Sequence, residues 1–336
     1  MGKMPRAWTI STEMDRPVPT ELASIVEWFA AEDDVRERFR WALRDSLDEL
    51  LDGQRTGRWA YQHLSKTERT HLGTVVEVNL TKEFEFVDGD DLDWQIRGRD
   101  IDCKFSRNLG GWEIPMEMYL CADHGDRQGK ADQPALLTWF DDTSSSWAAG
   151  LITVTDQRLR WKAGNAERAY NRDNKRSLAN NSAEHVYWLW GGLQEDLPRN
   201  LLLHLDDSVR ARILSPERSG QERVDELFRQ VQCRVVSRQT VLTVAQQDDA
   251  PKRVRDARIP LRKEGILILG HQDAHPQIAA ALALPVPVKG EWIAVRITAV
   301  SEADARPFVT LSGQRWARAN DDEPRVSVLV DYRYLN

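Results

Sequence analysis

Two carboxylates and one lysine lie close together in the sequence near residue 100. Asp93 precedes one alternating segment, and Asp102 and Lys104 are separated by a single residue in the next. Carboxylates beside a lysine can bind a hard divalent cation and position a water molecule. These residues can therefore carry metal-assisted hydrolysis of a phosphodiester, although an Asp-x-Lys pair alone occurs by chance in many chains.

A β-hairpin is the element that must position these groups. Apolar residues alternate with polar ones on both sides of a Gly-containing turn at residues 97–100: Leu92, Trp94 and Ile96, then Ile101, Cys103 and Phe105. A period of two around such a turn predicts two paired strands. Side chains two residues apart point to the same side of a strand, so Asp102 and Lys104 are expected to share a face.

A preceding helix supplies a third acid. Apolar residues recur at helical spacing after Lys66: Leu72, Val75, Val76, Leu80 and Phe84. Glu77 falls beside this stripe rather than opposite it. It is therefore either an ordinary surface glutamate or a further ligand for the same cation.

Length and composition limit the class of protein. A chain of 336 residues with 41% hydrophobic and 29% charged residues is typical of two globular domains. There is no apolar run of about 18 residues and no apolar signal core at the N-terminus, so a membrane span and secretion are not expected. The cysteines, Cys103, Cys121 and Cys233, are odd in number and widely separated, which disfavours a disulfide framework and fits a cytoplasmic protein.

The domain organisation follows from one composition break. Gly191, Gly192 and Pro198 lie in a charged segment that is typical of a linker. The sequence therefore predicts an N-terminal arm at 1–20, a first domain at 21–190, a linker at 191–199 and a second domain at 200–336. The expected fold class of the first domain is α/β, with a mixed sheet completed by strands near 135–140 and 148–154.

The second domain carries most of the basic residues that could bind nucleic acid. The net charge of −7 does not indicate a nucleic-acid-binding protein, but local clustering matters more than the sum. Between residues 210 and 263 basic residues outnumber acidic ones, and short helical patterns lead into the strand Ile266–Leu269. This order predicts a helix-turn-helix with a wing; the alternative is a basic surface on an unrelated α/β domain.

The candidate DNA contacts lie in two segments. The C-terminal group comprises Lys252, Arg253, Arg255, Arg258, Arg262 and Lys263. Arg55 and Arg58 flank a Gly-containing loop in the first domain. That loop is equally well explained as a solvated connector.

Several collinear segments resemble the NaeI-type restriction endonucleases. Residues 52–59, 66–68 and 102–106, with Glu77 and Asp93, resemble that family's N-terminal endonuclease domain. Residues 244–249, 252–255 and 270–273 resemble its C-terminal DNA-binding domain. The likeness runs from about residue 35 to about residue 300 and is weakest between Trp112 and Trp161.

The resemblance implies a restriction-endonuclease fold with a PD-(D/E)xK site, followed by a winged-helix domain of the catabolite-activator kind. It implies a homodimer that cuts double-stranded DNA at a palindromic site with Mg²⁺ and is stimulated by a second, effector copy of DNA. The family's catalytic residues carry over onto Glu77, Asp93, Asp102 and Lys104. Leu92, rather than proline, precedes Asp93 in this chain.

In this interpretation, Glu77, Asp93, Asp102 and the carbonyl of Cys103 hold the metal, and Lys104 orients or helps to deprotonate the attacking water. Two alternatives stay open from the sequence. One is a DNA-binding regulator with an inactive nuclease domain. The other is a DNA-joining enzyme that acts through Lys66 or a tyrosine.

Overall fold

The computed structural model describes residues 8–10, 17–31, 34–119, 132–162 and 167–328. The α-helices in these ranges are α1 (Ala23–Ala30), α2 (Val35–Leu51), α3 (Gly53–Thr56), α4 (Lys66–Phe84), α5 (Asp207–Ile213), α6 (Gly220–Gln230), α7 (Arg238–Ala245), α8 (Ala250–Lys263) and α9 (His275–Ala281). None of these helices combines the length and the apolar character that crossing a membrane requires.

The strands of the first half are β1 (Trp94–Ile96), β2 (Arg99–Phe105), β3 (Glu113–Ile114), β4 (Pro134–Asp141), β5 (Ser146–Thr153), β6 (Arg176–Ser177) and β7 (Tyr187–Trp188). Those of the second half are β8 (Val235–Ser237), β9 (Ile266–Leu269), β10 (Glu291–Ala299), β11 (Phe308–Leu311) and β12 (Gln314–Arg318).

The chain divides into two compact units. The first contains residues 1–50 and 64–199, and the second contains residues 51–63 and 200–336. The segment 51–63, which the sequence pattern placed in the first domain, packs within the second unit. Its Trp59 packs on that unit's apolar core, and the Asn200 side chain donates a hydrogen bond to the Trp59 carbonyl. Such long-range packing leaves no periodic signal in the local sequence.

A mixed five-stranded sheet forms the centre of the first unit. Its order is β1-β2-β4-β5-β7, with β2 parallel to β4 and the other neighbours antiparallel. Strand β5 is buried along its whole length, as its continuous apolar sequence requires. The mixed α/β architecture expected from the sequence is confirmed for this unit.

The predicted hairpin is present at the edge of that sheet. Arg97 and Gly98 both have positive φ, 52° and 74°, which makes a two-residue turn of the kind that matches the strand twist. The turn pairs Ile96 with Arg99 and Trp94 with Ile101. This register fixes which face of β2 every later residue occupies.

The predicted N-terminal arm and the predicted linker at 191–199 are partly packed in the first unit. Trp8 is buried and meets Trp112 edge to face, with ring centroids 5.4 Å apart. In the segment 191–199, Leu197 is buried, and Asp196 accepts hydrogen bonds from Arg36 at 2.7 Å and Trp147 at 3.0 Å. The Gly and Pro content of these segments indicates turns but says nothing about such anchoring.

The second unit packs three helices on a curled antiparallel sheet. Strand β10 lies between β8 and β9 in one part of the sheet and continues to pair with β12, which pairs with β11. Helices α6, α7 and α8 supply much of the buried apolar core. Ser237 caps the N-terminus of α7, Gln246 ends that helix in the left-handed region, and Asp249 caps α8.

Candidate active site

Helix α4 carries Glu77. It begins with a reciprocal capping box, in which Ser65 accepts from the Glu68 amide and the Glu68 carboxylate accepts from the Ser65 amide at 2.7 Å. The start at Lys66 predicted from the sequence is confirmed. Its apolar positions, including Leu72, Val76 and Leu80, are buried, and Glu77 beside them is only partly exposed.

A side-chain hydrogen bond connects this helix to the hairpin. The Trp94 indole donates a hydrogen bond to the Thr81 hydroxyl at 2.7 Å. That hydroxyl donates in turn to the carbonyl of Glu77 at 2.8 Å, one turn earlier. The backbone of Glu77 is therefore held against the strand that follows Asp93. Sequence reasoning missed Thr81, because a threonine inside an amphipathic helix carries no signal for this role.

The hairpin brings the other three residues together. The Asp93 carboxylate accepts a hydrogen bond from the Cys103 amide at 2.7 Å. The Lys104 ammonium lies 2.5 Å from Oδ2 of Asp102 and 3.9 Å from Oδ2 of Asp93. It also donates to the Cys103 carbonyl at 3.2 Å. One cation thus faces two carboxylates and one carbonyl oxygen, as the shared face of β2 predicts.

Burial is the main influence on the pKa of two of these acids, Asp102 and Glu77. It raises the pKa of Asp102 to about 8; Lys104 opposes this shift, and the neighbouring Asp93 carboxylate adds to it. The pKa of Glu77 is also raised, first by burial and then by Asp93, with Lys104 acting against both. The cluster therefore holds more negative charge than its single lysine can balance.

The lysine and the cysteine respond to the same environment. Burial works to lower the pKa of Lys104, but the charges of Asp102 and Asp93 outweigh it, so the pKa is raised and the ammonium stays protonated. Burial raises the pKa of the Cys103 thiol well above its ordinary value. The thiol is thus protonated at neutral pH, and the carbonyl of Cys103 is the donor atom that faces the cluster.

The donor set fits a hard cation such as Mg²⁺. The buried Oδ2 of Asp102 makes no directed hydrogen bond within the described part of the chain, although the Lys104 ammonium lies close to it. Among the described residues no three acidic, histidine or cysteine side chains converge tightly enough to hold a metal alone. Mg²⁺ does not require such a cage, because it is commonly held by one or two carboxylates with waters and substrate phosphate oxygens.

The candidate DNA contacts on α8 divide into two groups. Lys252, Arg255 and Lys263 are exposed, and Arg262 is partly exposed. The other two arginines of the helix bond within the unit. Arg253 donates to the Gln221 side chain at 3.5 Å. Arg258 donates to the Ile268 carbonyl at 3.0 Å. The exposed residues remain candidates for DNA contacts, whereas these two arginines also help to hold the fold.

The two arginines of the segment 51–63 differ in the same way. Arg55 has 80% of its side chain exposed and makes one long ion pair with Asp52 at 3.4 Å. Arg58 donates to the Leu51 carbonyl at 3.0 Å and so stabilises the turn after α3. Arg55 is therefore the better placed of the two for a phosphate contact.

Comparison with known proteins identifies the family. The family model for restriction endonuclease NaeI matches residues 23–327 of the chain. The type II restriction enzyme NaeI of Lentzea aerocolonigenes is 45% identical over 307 residues, which cover 88% of this chain and 89% of that enzyme. These matches confirm the family and the enzyme class that the sequence predicts. The chain therefore belongs to the NaeI restriction endonuclease family, and it is a type II restriction endonuclease that cleaves DNA at specific sites.

Proposed function

We propose that the first unit is the nuclease domain, with a PD-(D/E)xK site that hydrolyses double-stranded DNA with Mg²⁺. The observation that carries this proposal is the placement of the Lys104 ammonium between the carboxylates of Asp93 and Asp102. The partly buried Glu77 lies close enough for its pKa to respond to both Asp93 and Lys104. A buried acid-rich cluster with one cation is the electrostatic setting that a divalent metal completes.

In the proposed mechanism, Asp93, Asp102 and the Cys103 carbonyl hold the metal, with Glu77 bound directly or through water. The bound ion would lower the pKa of a coordinated water and stabilise the charge on the phosphate oxygens. Burial raises the pKa of Asp102, so this carboxyl holds a proton at a higher pH than an exposed aspartate does, and binding of the ion would require that proton to leave. Metal affinity should therefore fall as the pH decreases.

Lys104 acts as a cation in this mechanism. The charges of Asp102 and Asp93 raise the pKa of Lys104 and so favour its protonated form, which cannot accept a proton. The protonated ammonium can instead orient the attacking water and offset the charge that develops on the pentacoordinate phosphorus. The Asp102 contact holds that ammonium on the reactive face of β2.

We further propose that the second unit is a winged-helix domain that binds an effector DNA duplex. Its elements run α5, α6, β8, α7, α8, β9, α9 and β10, with β10 between β8 and β9 in the sheet. A four-residue turn separates α7 from the basic helix α8. Helices α7 and α8 followed by the paired strands β9 and β10 are in the order of a helix-turn-helix with a wing, with α9 inserted between the two strands. In this proposal α8 would be the helix that enters the major groove.

A homodimer is the assembly that matches a palindromic site, because each copy can then meet an equivalent half-site through the same two-fold axis. Sedimentation of the DNA-free chain tests this part of the proposal. A dimer is expected at micromolar concentration, and a monomer that binds one half-site would contradict it.

Plasmid cleavage tests the active site. Wild type should cut in Mg²⁺ and be inactive in EDTA, while Lys104→Met should lose at least about a hundredfold in rate. Lys82→Met is the matched control, since Lys82 is an exposed lysine in the last turn of α4. Equal cutting by Lys104→Met and wild type would refute the site assignment. Binding without metal-dependent cleavage on any DNA would favour a regulatory protein.

Plasmids with one or two sites test the effector role separately. If the second unit supplies stimulation, a two-site plasmid should be cut faster, and a short duplex bearing the site should restore cutting of a one-site plasmid. Identical rates on both plasmids, unaffected by the added duplex, would remove the effector from the proposal and leave the nuclease intact.

A further inference from the structure

Helix α8 has two distinct faces. The inward face is apolar and buried: Ala250, Val254, Ala257 and Leu261. The outward face repeats at the same helical spacing on the opposite side: Lys252, Arg255, Ile259 and Lys263. Within the described part of the chain, the three cations of this outward face enter no ion pair. This leaves their charge available for a ligand outside the unit.

Ile259 is an exception to the burial pattern of this helix. Its side chain is 60% exposed, although the other large apolar residues of α8 are buried. A single exposed apolar residue needs no explanation by itself. Ile259, however, lies at the centre of the outward face, with cations on both sides. Protein interfaces are depleted of charged residues at their centre, whereas DNA combines a polyanionic backbone with base edges that include the apolar methyl group of thymine.

The dimensions of this face fit the major groove. Lys252 and Lys263 are eleven residues apart in the helix, or about 16 Å at 1.5 Å per residue. The major groove of B-DNA is roughly 12 Å wide. Cations at the two ends can therefore reach phosphates while the middle of the helix faces the base edges. Ile259 is the residue at that middle position.

We propose that Ile259 determines specificity by packing against the C5 edge of a pyrimidine, while Lys252, Arg255 and Lys263 bind the phosphates around it. This inference rests on the proposed role of the second unit in binding DNA. The C5 edge is the methyl group of thymine or the C5–H of cytosine, and both are apolar surfaces in the major groove. A lysine or arginine at residue 259 would favour guanine O6 and N7, whereas an isoleucine favours a base that offers an apolar edge.

Equilibrium binding tests this assignment. The full chain with Lys104→Met, which prevents cutting, is titrated with a duplex bearing the site mapped from wild-type cleavage and with a scrambled duplex. Ile259→Ala should reduce the ratio of site to scrambled affinity about three- to tenfold, as expected for loss of a partly buried aliphatic side chain. Its salt dependence should not change. Lys252→Ala should weaken both duplexes and reduce the slope of log affinity against log salt by about one.

Modified bases identify the contact. In a series of duplexes, each thymine is replaced in turn by deoxyuridine and each cytosine by 5-methylcytosine. At least one replacement should alter the affinity of the Ile259 protein and leave the Ile259→Ala protein unaffected. The alanine variant should keep the wild-type melting temperature, because alanine is a good helix former at an exposed position.

Three results would overturn the inference. The first is that Ile259→Ala leaves the ratio of site to scrambled affinity unchanged. The second is that every modified base affects the two proteins equally. The third is that the variant alters self-association while it still discriminates between the two duplexes. The last result would make residue 259 part of a contact between copies. If wild type does not cleave DNA with Mg²⁺, the proposed function itself fails. In that case, selection of bound duplexes from a pool of random sequences supplies the site for the same comparison.

Discussion

Removing the charge of Asp102 should stabilise the metal-free protein while abolishing cleavage. Asp102 is buried and has a pKa raised to about 8, first by burial, with Lys104 opposing and Asp93 reinforcing the shift. Asp102→Asn keeps the shape of the side chain and removes its titration. The folded state then no longer has to retain a proton or bury a charge at this position.

The size of the effect follows from the pKa difference. The ordinary carboxyl pKa is near 4, so the unfolded chain releases this proton near pH 4. The folded protein keeps it until about pH 8, and the two states therefore differ in bound protons between about pH 4 and pH 8. Wild-type stability should therefore fall as the pH rises through this window. At pH 7 the solution is about three pH units above the carboxyl pKa of the unfolded chain and still below that of the folded protein. At about 1.4 kcal/mol for each unit, the upper limit of the effect is about 4 kcal/mol. For a domain of this size that is up to about 10 °C in melting temperature.

Thermal unfolding in EDTA, followed by tryptophan fluorescence from pH 4 to pH 8, measures this difference. The variant should match wild type near pH 4 and exceed it increasingly towards pH 8. Adding Mg²⁺ should stabilise wild type and not Asp102→Asn, because the metal binds only the folded site. Asp88→Asn, an exposed acid before the hairpin, is the control and should show neither effect. Parallel pH curves for wild type and Asp102→Asn would refute the reasoning.

Two further predictions concern the frame around the site. Arg44→Met should cost about 3–5 kcal/mol in chemical unfolding, because it removes the partner of the buried Asp142 and of the partly buried Asp48. Arg38→Met, at a more exposed ion pair, should cost less than about 1 kcal/mol. Equal costs for the two variants would show that burial does not matter here. Thr81→Val should leave the N–H of the buried Trp94 indole without its hydrogen-bond partner and lower the free energy of unfolding by about 1–3 kcal/mol. It should also slow cleavage severalfold in single-turnover kinetics, because the hydrogen bond from residue 81 to the Glu77 carbonyl is lost. Unchanged kinetics would exclude the positioning role of Thr81.

The hairpin and the shared face of Asp102 and Lys104 were predictable because their signals are local. Alternation and the Gly98 turn determine the register, and the register determines that Asp102 and Lys104 share a face. The start of α4 at Lys66 was predictable for the same reason, since helical periodicity is also a local signal. The association of Asp93 with the Cys103 amide was not, because a loop carboxylate can reach many positions along a strand.

Other features of the fold could not be predicted from the sequence because they depend on long-range packing. Nothing in the residues around Trp59 indicates that this segment joins the second unit, because the partner core lies more than a hundred residues away in the sequence. Composition likewise identifies α8 as basic without separating Arg258, which bonds to the Ile268 carbonyl, from the exposed Arg255. That separation requires the orientation of the helix on its core.

Sequencing the ends of digested DNA tests the central claim most directly. Wild type with Mg²⁺ should leave ends that all lie in one short palindromic sequence, cut at a fixed phosphate, and the same protein with Lys104→Met should leave none. Ends scattered over unrelated sequences, or the same ends from the Lys104→Met protein, would contradict the account of a site-specific nuclease built around the Asp93, Asp102 and Lys104 cluster.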